Sequence, residues 1–189
     1  MLAGGELHNS NSSTPEAMEA SCRKAAELGM NSVIATLSWE LIEPEEGCFD
    51  FSTVDMVIDI ARKHGLKLEL IWFGSWKNAQ CAYAPAWVKK DLNRFPRAEM
   101  QKGKRSGRME ILGAVNYTTL SYLSEEACKA DARAFHAVMA HIREIDSREN
   151  TVLMMQVENE TGVLTAAREH SDLADRLFVG LLPRSWCST

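Results

Sequence analysis

Residues 52–73, STVDMVIDIARKHGLKLELIWF, join an amphipathic helix directly to an apolar strand. Ser52 suits the N-cap of this helix, and Asp55, three residues further on, favours its positively polarised first turn. Apolar residues then recur at helical spacing until His64-Gly65 ends the helix, and the strand LKLELIWF follows without a linker. A helix followed at once by an apolar strand is typical of α/β proteins.

The same unit occurs twice more in the chain. Thr14 and the proline after it predict the start of a helix that ends at Gly29, and the β-branched run NSVIATLSW follows it. Another helix is predicted from Ser124, and after a polar turn the apolar run TVLMMQV covers residues 151–157. Apolar strands that alternate with amphipathic helices indicate a parallel sheet with the helices packed outside it.

Three further segments complete the pattern. A short stub that ends at Glu6 counts as a strand, which brings the predicted strands to four, and a fourth helical segment runs from about Thr165 to Leu177. The stretch between the strand LKLELIWF and the next helix is too long for an ordinary connection. We interpret its aromatic-rich part, residues 74–87, as a functional loop and residues 102–122 as irregular or mobile.

The composition limits the classes of partner. The 189 residues are 46% hydrophobic and 25% charged, with a formal net charge of −5. Because no basic stripe is present, neither a nucleic acid nor a membrane surface is an expected partner. The five cysteines include no pair with the spacing of a zinc site or a redox motif. We predict no metal site and no cofactor, since the chain has no suitable His or Cys set and no glycine-rich phosphate loop.

Polar and aromatic side chains follow the predicted strands at their carboxyl ends, where α/β proteins bind ligands. Aromatic rings beside amides and carboxylates suit a sugar, because its C–H faces stack on rings while its hydroxyls need polar partners. The candidate rings are Trp39 and Trp76, Asn78 is a candidate polar contact, and His8 is a candidate for the pocket floor. These residues predict a carbohydrate site at that edge of the sheet.

The segment QVENE, residues 156–160, ends the last predicted strand with two glutamates. Because side chains alternate along a strand, we expect Gln156, Glu158 and Glu160 on one face. Two close carboxylates discourage simultaneous ionisation, so the proton affinity of one would rise, as a general acid near neutral pH requires. A strand end that meets solvent, or an acidic helix N-terminus, explains the same residues equally well.

Four motifs lie at the ends of the predicted strands: GGELHNS at 4–10, WELIEPEEGCFDF at 39–51, LIWFGSWKN at 70–78 with YAPAWV at 83–88, and QVENETG at 156–162. In this order they resemble the β-galactosidases of glycoside hydrolase clan A, families 35 and 42. The second motif resembles the family's W-x-x-x-E-P-x-x-G-x-[FY]-[DN]-F stretch. The Asn-Glu pair in the fourth resembles the acid/base signature of the clan.

The resemblance implies an α/β fold, a partial TIM (β/α)8 barrel. About the first four βα units would occupy residues 1–180, with 181–189 as a tail outside the family. It also implies a retaining glycoside hydrolase that acts on O-glycosyl bonds, with a β-galactoside or related oligosaccharide as substrate. Glu160 would be the acid/base, Asn159 would hold the sugar 2-hydroxyl, and Glu158 would contact the substrate.

Two positions depart from the family 35 pattern. Asn78 stands near the place of a substrate-binding glutamate, and Thr36 stands where many members have a sugar-contacting tyrosine. These departures indicate a divergent subgroup, in which galactose specificity has less support than glycosidase chemistry.

The resemblance places the nucleophilic glutamate on a seventh barrel strand, whereas the predicted pattern contains four strands. We therefore expect a truncated chain that is inactive alone. Because half a barrel leaves two strand edges unpaired, we expect it to be insoluble or to form an oligomer through them. The alternative is a non-catalytic carbohydrate-binding relative of the same barrel, and an unrelated flavodoxin-like domain would require the motifs to be coincidental. Many relatives are exported, and the resemblance alone does not assign a compartment to this protein.

Overall fold

The computed structural model describes residues 1–77, 82–101, 104–105, 109–111, 114–116, 119–161 and 166–181. In chain order its elements are β1 (Gly4–Glu6), α1 (Pro15–Glu27), β2 (Ser32–Ser38), α2 (Trp39–Ile42), α3 (Ser52–Lys63), β3 (Lys67–Lys77), α4 (Ala86–Lys90), β4 (Glu99–Gln101), β5 (Lys104–Arg105), β6 (Met109–Ile111), β7 (Ala114–Asn116), α5 (Glu125–Asp146), β8 (Val152–Asn159) and α6 (Asp172–Leu181). Within these ranges, no helix has the length and apolar character that a membrane span requires.

Four of the strands form one parallel sheet in the order β1-β2-β3-β8. A helix lies in each connection: α1 between β1 and β2, α3 between β2 and β3, and α5 between β3 and β8. Each strand therefore lies beside the strand that the preceding helix connects it to, as in the successive units of a (β/α)8 barrel. The predicted parallel arrangement of four strands is confirmed.

The hydrophobic core lies between this sheet and its helices. In β3, Leu70 and Trp72 belong to the core cluster that also contains residues of α1, α3 and α5, and we call this side of the sheet the helix face. The opposite side, the inner face, carries Ile71. The register places Val157 of β8 on the helix face beside Trp72, and Gln156 on the inner face beside Ile71.

Local capping explains where the helices begin. Thr14 and Ser124 each accept a backbone N–H from the first turn of their helix, at 3.4 and 3.2 Å, so the predicted cap at Thr14 and the predicted helix start at Ser124 are confirmed. The prediction of Ser52 as an N-cap is wrong. Ser52 is the first residue of α3, and its own N–H donates to Asp50 Oδ1 at 2.9 Å. The side chain that accepts this N–H is therefore Asp50, which lies two residues before the predicted N-cap.

Other element boundaries also differ from the predictions. The fourth helix, α6, begins at Asp172 rather than near Thr165, which is outside the described residues. The strand predicted from the run NSVIATLSW ends one residue earlier, at Ser38, and a short helix, α2, begins at Trp39. The region predicted to be irregular, residues 102–122, contains β6 and β7, which pair antiparallel, and β5, which pairs antiparallel with β4 just before the region.

Candidate active site

The carboxyl end of β8 brings Asn159 next to Lys77 of β3, its partner in the sheet. The Lys77 ammonium donates to Asn159 Oδ1 at 2.7 Å and lies 5.1 Å from the centre of the Phe73 ring. Because the Asn159 amide oxygen accepts this bond from Lys77, its NH₂ group is the part of the side chain that can donate to a ligand.

Glu160 follows directly and is exposed. Its backbone is in the left-handed region, with φ of 50°. Within the part of the chain that the structure describes, its carboxylate has no hydrogen-bond or ion-pair partner. A solvent-accessible carboxylate at the carboxyl end of a barrel strand is placed where barrel enzymes carry their catalytic groups.

The end of β3 is irregular, and Glu158 fills the irregularity. Trp72 pairs with Val157, but the next pair is Lys77 with Asn159, so residues 73–76 lie opposite Glu158 alone. A bulge of this kind leaves backbone N–H groups without a strand partner. The Glu158 carboxyl group accepts two of them, from Ser75 at 3.1 Å and from Trp76 at 2.7 Å.

A second carboxyl group, Asp131 of α5, reaches the same bulge from the helix face. It is buried, and it accepts the Ser75 N–H at 2.6 Å and the Trp72 indole N–H at 2.7 Å. Gly74 makes this approach possible, because a Cβ there would lie 2.5 Å from each Asp131 oxygen. Asp131 therefore ties α5 to the end of β3.

Burial raises the pKa of Glu158 to about 10, with a smaller contribution from the hydrogen bond and charge of Asp131. The prediction that one glutamate of QVENE has a raised proton affinity agrees with this value, but the predicted cause, Glu160, is wrong. With φ of 66° at Glu158, strand alternation is broken, so Gln156, Glu158 and Glu160 do not form the predicted row. Glu158 is directed to the backbone of β3, and its predicted role as a substrate contact is corrected.

Trp39 is not available as a sugar platform. Its side chain is fully buried, its indole N–H donates to Glu43 Oε2 at 2.8 Å, and its ring packs edge-on against Trp87 at 5.7 Å. The physical reason is the buried Glu43 carboxylate, which takes both this indole and the Gly47 N–H at 2.8 Å. The WELIEPEEG segment is thus held together by Glu43, which is the fixed glutamate of the W-x-x-x-E-P motif.

The other predicted contacts are dispersed. Trp76 is largely buried beside Tyr122 and borders a cavity of about 790 Å³ that lies between α5 and the ends of β3 and β8. His8 is exposed, contacts Ser10 at 3.1 Å and follows β1, the outer strand farthest from β8. Asn78 lies outside the described residues. The structure therefore brings together Lys77, Asn159 and Glu160, but not Trp39 or His8.

Asp131 and Lys77 are the two residues of this region that the sequence analysis did not select. Asp131 had a signal: it lies on the same stripe of α5 as Ala127, Ala130 and Ala134, all of which are buried. A carboxylate on a buried helical stripe needs a polar partner, which predicts a structural or catalytic role. Lys77 had none, since a lysine after a strand is usually a solvated side chain. The described residues contain no cluster of His, Cys, Asp and Glu that could hold a metal ion.

Comparison with known proteins decides the family. The model of glycoside hydrolase family 42, described as β-galactosidase, matches residues 8–189. The chain belongs to this family. Among curated relatives, β-galactosidase BgaB of Geobacillus sp. (strain Y412MC61) and bgaB of Geobacillus kaustophilus are each 40% identical over 70 residues, which is 36% of this chain and 9% of the relative.

Solved structures show the same fold as this family 42 chain at low identity. GH5_18 from Streptomyces cattleya in complex with GlcNAc matches with a TM-score of 0.54, and exo-β-1,4-mannosidase Op5Man5 from Opitutaceae bacterium strain TAV5 with 0.56, both at 14% identity. Each match covers 84% of this chain, but only 34% and 25% of the respective neighbour. The predicted fold class, an α/β partial TIM barrel of a clan A glycosidase, is confirmed.

Proposed function

We propose that this chain supplies the acid/base half of a retaining glycoside hydrolase that acts on β-galactosides or related oligosaccharides. The observation that carries the proposal is the pair at the end of β8: an exposed Glu160 beside Asn159, whose amide orientation is fixed by Lys77 at 2.7 Å. The galactoside as substrate rests on the family and on the names of the Geobacillus relatives.

The proposed reaction begins with proton transfer. Glu160, as the neutral acid, protonates the glycosidic oxygen while a second carboxylate attacks the anomeric carbon, and the aglycone leaves as an alcohol. In the second step Glu160, now a carboxylate, takes a proton from water, and the hydroxide oxygen displaces the enzyme carboxylate to release the sugar. The configuration at the anomeric carbon is retained because it is inverted twice.

Asn159 is proposed to bind the sugar 2-hydroxyl. Its NH₂ group has no partner among the described residues, and it donates to the hydroxyl oxygen. This bond orients the sugar and leaves the hydroxyl hydrogen to donate to another acceptor, an interaction that strengthens as positive charge develops at the neighbouring anomeric carbon. Lys77 supports this role by holding the amide oxygen. Trp39 and Glu158 are not part of the proposed binding surface.

The second carboxylate lies about 5 Å from the acid/base in retaining enzymes. The resemblance places it on a seventh barrel strand, and the described residues contain four strands of such a sheet. We propose that the 189-residue chain alone binds the sugar weakly and does not turn it over.

Sugar binding and turnover test this function separately. We expect ligand-observed NMR to detect methyl β-galactoside binding to the purified chain, and Asn159→Ala to abolish it. We expect no release of nitrophenol from nitrophenyl β-galactoside. Glu144→Gln, on an exposed position of α5, is the control and should bind like the unmodified chain.

Two results would contradict the proposal. Absence of binding in the unmodified chain, or binding that Asn159→Ala leaves intact, would remove the assigned site. Turnover that is lost on Glu160→Gln would refute the inactivity of the isolated chain while supporting the role of Glu160.

We further propose that the chain self-associates through the outer strands of its sheet. β8 exposes Leu153, Met154 and Val157, the last of them 59% exposed. Its outer edge is unpaired in the described residues, since β3 is its only sheet neighbour there. An unpaired edge with apolar side chains on both faces is a surface that pairs with another chain.

A further inference from the structure

We propose that Asp131 and Glu158 share one proton behind the ends of β3 and β8, and that this pair is a positioning device for Asn159 and Glu160. The pairing itself rests on geometry, whereas its purpose rests on the proposed function. Asp131 comes from α5 and Glu158 from β8, so the pair joins a helix to the strand that carries the candidate acid/base.

Shared donors place the two carboxyl groups side by side. Both accept the Ser75 N–H, Asp131 at 2.6 Å and Glu158 at 3.1 Å. Asp131 is buried and Glu158 is half-buried, so two ionised carboxylates this close would repel each other, and a proton between them is favoured. The protonated group then donates to the other, and both still accept backbone N–H groups with their remaining lone pairs.

Among the side chains that the structure describes, no cation near the pair is available to neutralise the second carboxylate in place of that proton. Cys128, Tyr122 and Arg168 line the cavity beside it. The Arg168 guanidinium donates to Asp175 at 2.6 Å and to the Glu169 carbonyl at 2.7 Å, and it lies over the Phe178 ring. Lys77, on the other side of the strand end, donates to Asn159. The nearest cations are therefore already bound to other groups.

The backbone that follows shows why positioning is needed. Glu158 and Glu160 have φ of 66° and 50°, and neither is glycine. Left-handed conformations at such residues are unfavourable and persist only where surrounding contacts hold them. The described contacts that hold Glu158 are its carboxyl bonds to Ser75 and Trp76, within a bulge that Asp131 also fixes, and the Gln156 side-chain amide, which donates to the Glu158 carbonyl oxygen at 2.9 Å. Removal of the pair should let Asn159 and Glu160 relax away from their present geometry.

The shared proton is tested in the unmodified, ¹³C-labelled full chain. The chemical shift of the Glu158 side-chain carboxyl carbon is followed from about pH 3 to about pH 11, a range that includes the raised pKa. We expect the shift of a protonated carboxyl group through neutral pH. A midpoint near the ordinary glutamate value would overturn the shared proton. In Asp131→Asn, which lacks the neighbouring charge, we expect the Glu158 midpoint to fall by about one pH unit or more, and an unchanged midpoint would also overturn it.

Positioning is tested with two variants of one residue. Glu158→Ala should accelerate amide exchange at Ser75 and Trp76 by about tenfold and shift the side-chain NH₂ signal of Asn159 and the backbone signal of Glu160. Glu158→Gln, which can donate to Asp131 as the protonated acid does, should restore both. Unchanged Asn159 and Glu160 signals in Glu158→Ala would overturn the positioning role. If Glu158→Ala does not fold, displaced signals in the folded Glu158→Gln variant would overturn it instead.

Asp146→Ala is the matched control, because Asp146 is the buried aspartate at the other end of α5. It should lower Tm and leave the Asn159 and Glu160 signals unchanged, and shifted signals would show that any loss of a buried aspartate has this effect. None of these readouts depends on sugar binding. A chain that shows the pair but binds no galactoside would contradict the proposed function and leave the pair intact.

Discussion

Glu158 links the stability of the protein to pH. Its carboxyl pKa is raised from 4.5 to about 10, first by burial and then by Asp131. A carboxyl group with a higher pKa in the folded chain than in the unfolded chain contributes its full stabilisation below the unfolded pKa. That contribution is lost as the pH rises toward the folded pKa, because the unfolded chain ionises and the folded chain does not.

Glu158→Gln removes this pH dependence. Between about pH 5 and pH 8 we expect the free energy of unfolding of the unmodified chain to fall relative to the variant by about 1 kcal/mol per pH unit. Urea denaturation at several pH values measures the difference. Glu144→Gln, at an exposed position, should follow the unmodified chain, and parallel curves for Glu158→Gln and the unmodified chain would refute the prediction.

Gly74 provides the space for Asp131, and a methyl group there would collide with it. The added Cβ would meet both Asp131 carboxylate oxygens at 2.5 Å. We expect Gly74→Ala to destabilise the protein by about 1–3 kcal/mol, since a packed site must shift to accept it. Gly180→Ala is the control, because nothing lies within 4 Å of its added Cβ and alanine favours a helix. Thermal denaturation should show a lower Tm for the first variant and an equal or higher Tm for the second.

Trp39 shows what the sequence cannot provide at this scale. A tryptophan at a strand end is compatible with a sugar platform and with a core residue, since both uses bury part of the ring. The choice depends on the partner of the indole N–H, here Glu43. The indole N–H of Trp72 likewise donates to Asp131, which is distant in sequence. Such pairings exist only once the chain is folded.

At the scale of elements, α5 holds the sheet at both ends. Asp131, near its start, binds the end of β3, and Asp146, its last residue, accepts the N–H groups of Thr151 at 3.0 Å and Val152 at 2.8 Å. Burial opposes ionisation of Asp146, but these bonds and the Arg62 guanidinium at 2.9 Å outweigh it and lower its pKa. Its stabilising contribution is therefore present above the unfolded pKa of 3.8 and is lost as the pH falls.

Asp146→Ala should cost about 2–3 kcal/mol of unfolding free energy, because it leaves buried N–H groups without an acceptor. Asp59→Ala is the matched control: Asp59 also binds Arg62, at 3.2 Å, but is 72% exposed. An exposed pair contributes at most about 1 kcal/mol, so we expect a small effect. Equal losses in urea denaturation would contradict the assignment.

The elements themselves were largely predictable from the sequence. The strands β2, β3 and β8 follow from apolar runs and the starts of α1 and α5 from Thr14 and Ser124, because these signals act within a few residues. The turn of the backbone at Glu158 was not predictable, since strand alternation assumes a regular ladder. The bulge in β3 depends on a carboxyl group from α5, which no local pattern of QVENE contains.

At the scale of the whole molecule, the order of the sheet follows from the alternation of helices and strands, because parallel neighbours need a crossover. The family and the position of Asn159 and Glu160 followed from motif order. The sequence also predicted that Trp39 and His8 lie at the same site. They do not, because Trp39 packs in the core and His8 follows the opposite outer strand.

Self-association is the property of the whole molecule that is simplest to measure. Val157→Lys places a charge on the outer strand β8, where Val157 is 59% exposed, and should shift sedimentation equilibrium toward the monomer. Leu28→Lys is the control, because Leu28 is a similarly exposed apolar residue, at 63%, but lies at the end of α1. A monomer at all concentrations in the unmodified chain would refute the proposed association.

The two buried aspartates also require a fixed number of residues between them in α5. They lie fifteen positions apart, which is about 22 Å along a helix axis. Insertion or deletion of one residue between them would rotate one carboxylate by about 100° and translate it by about 1.5 Å relative to the other. Only one end of the sheet could then keep its acceptor. The length of this helix, more than most of its residue choices, is what the protein cannot vary.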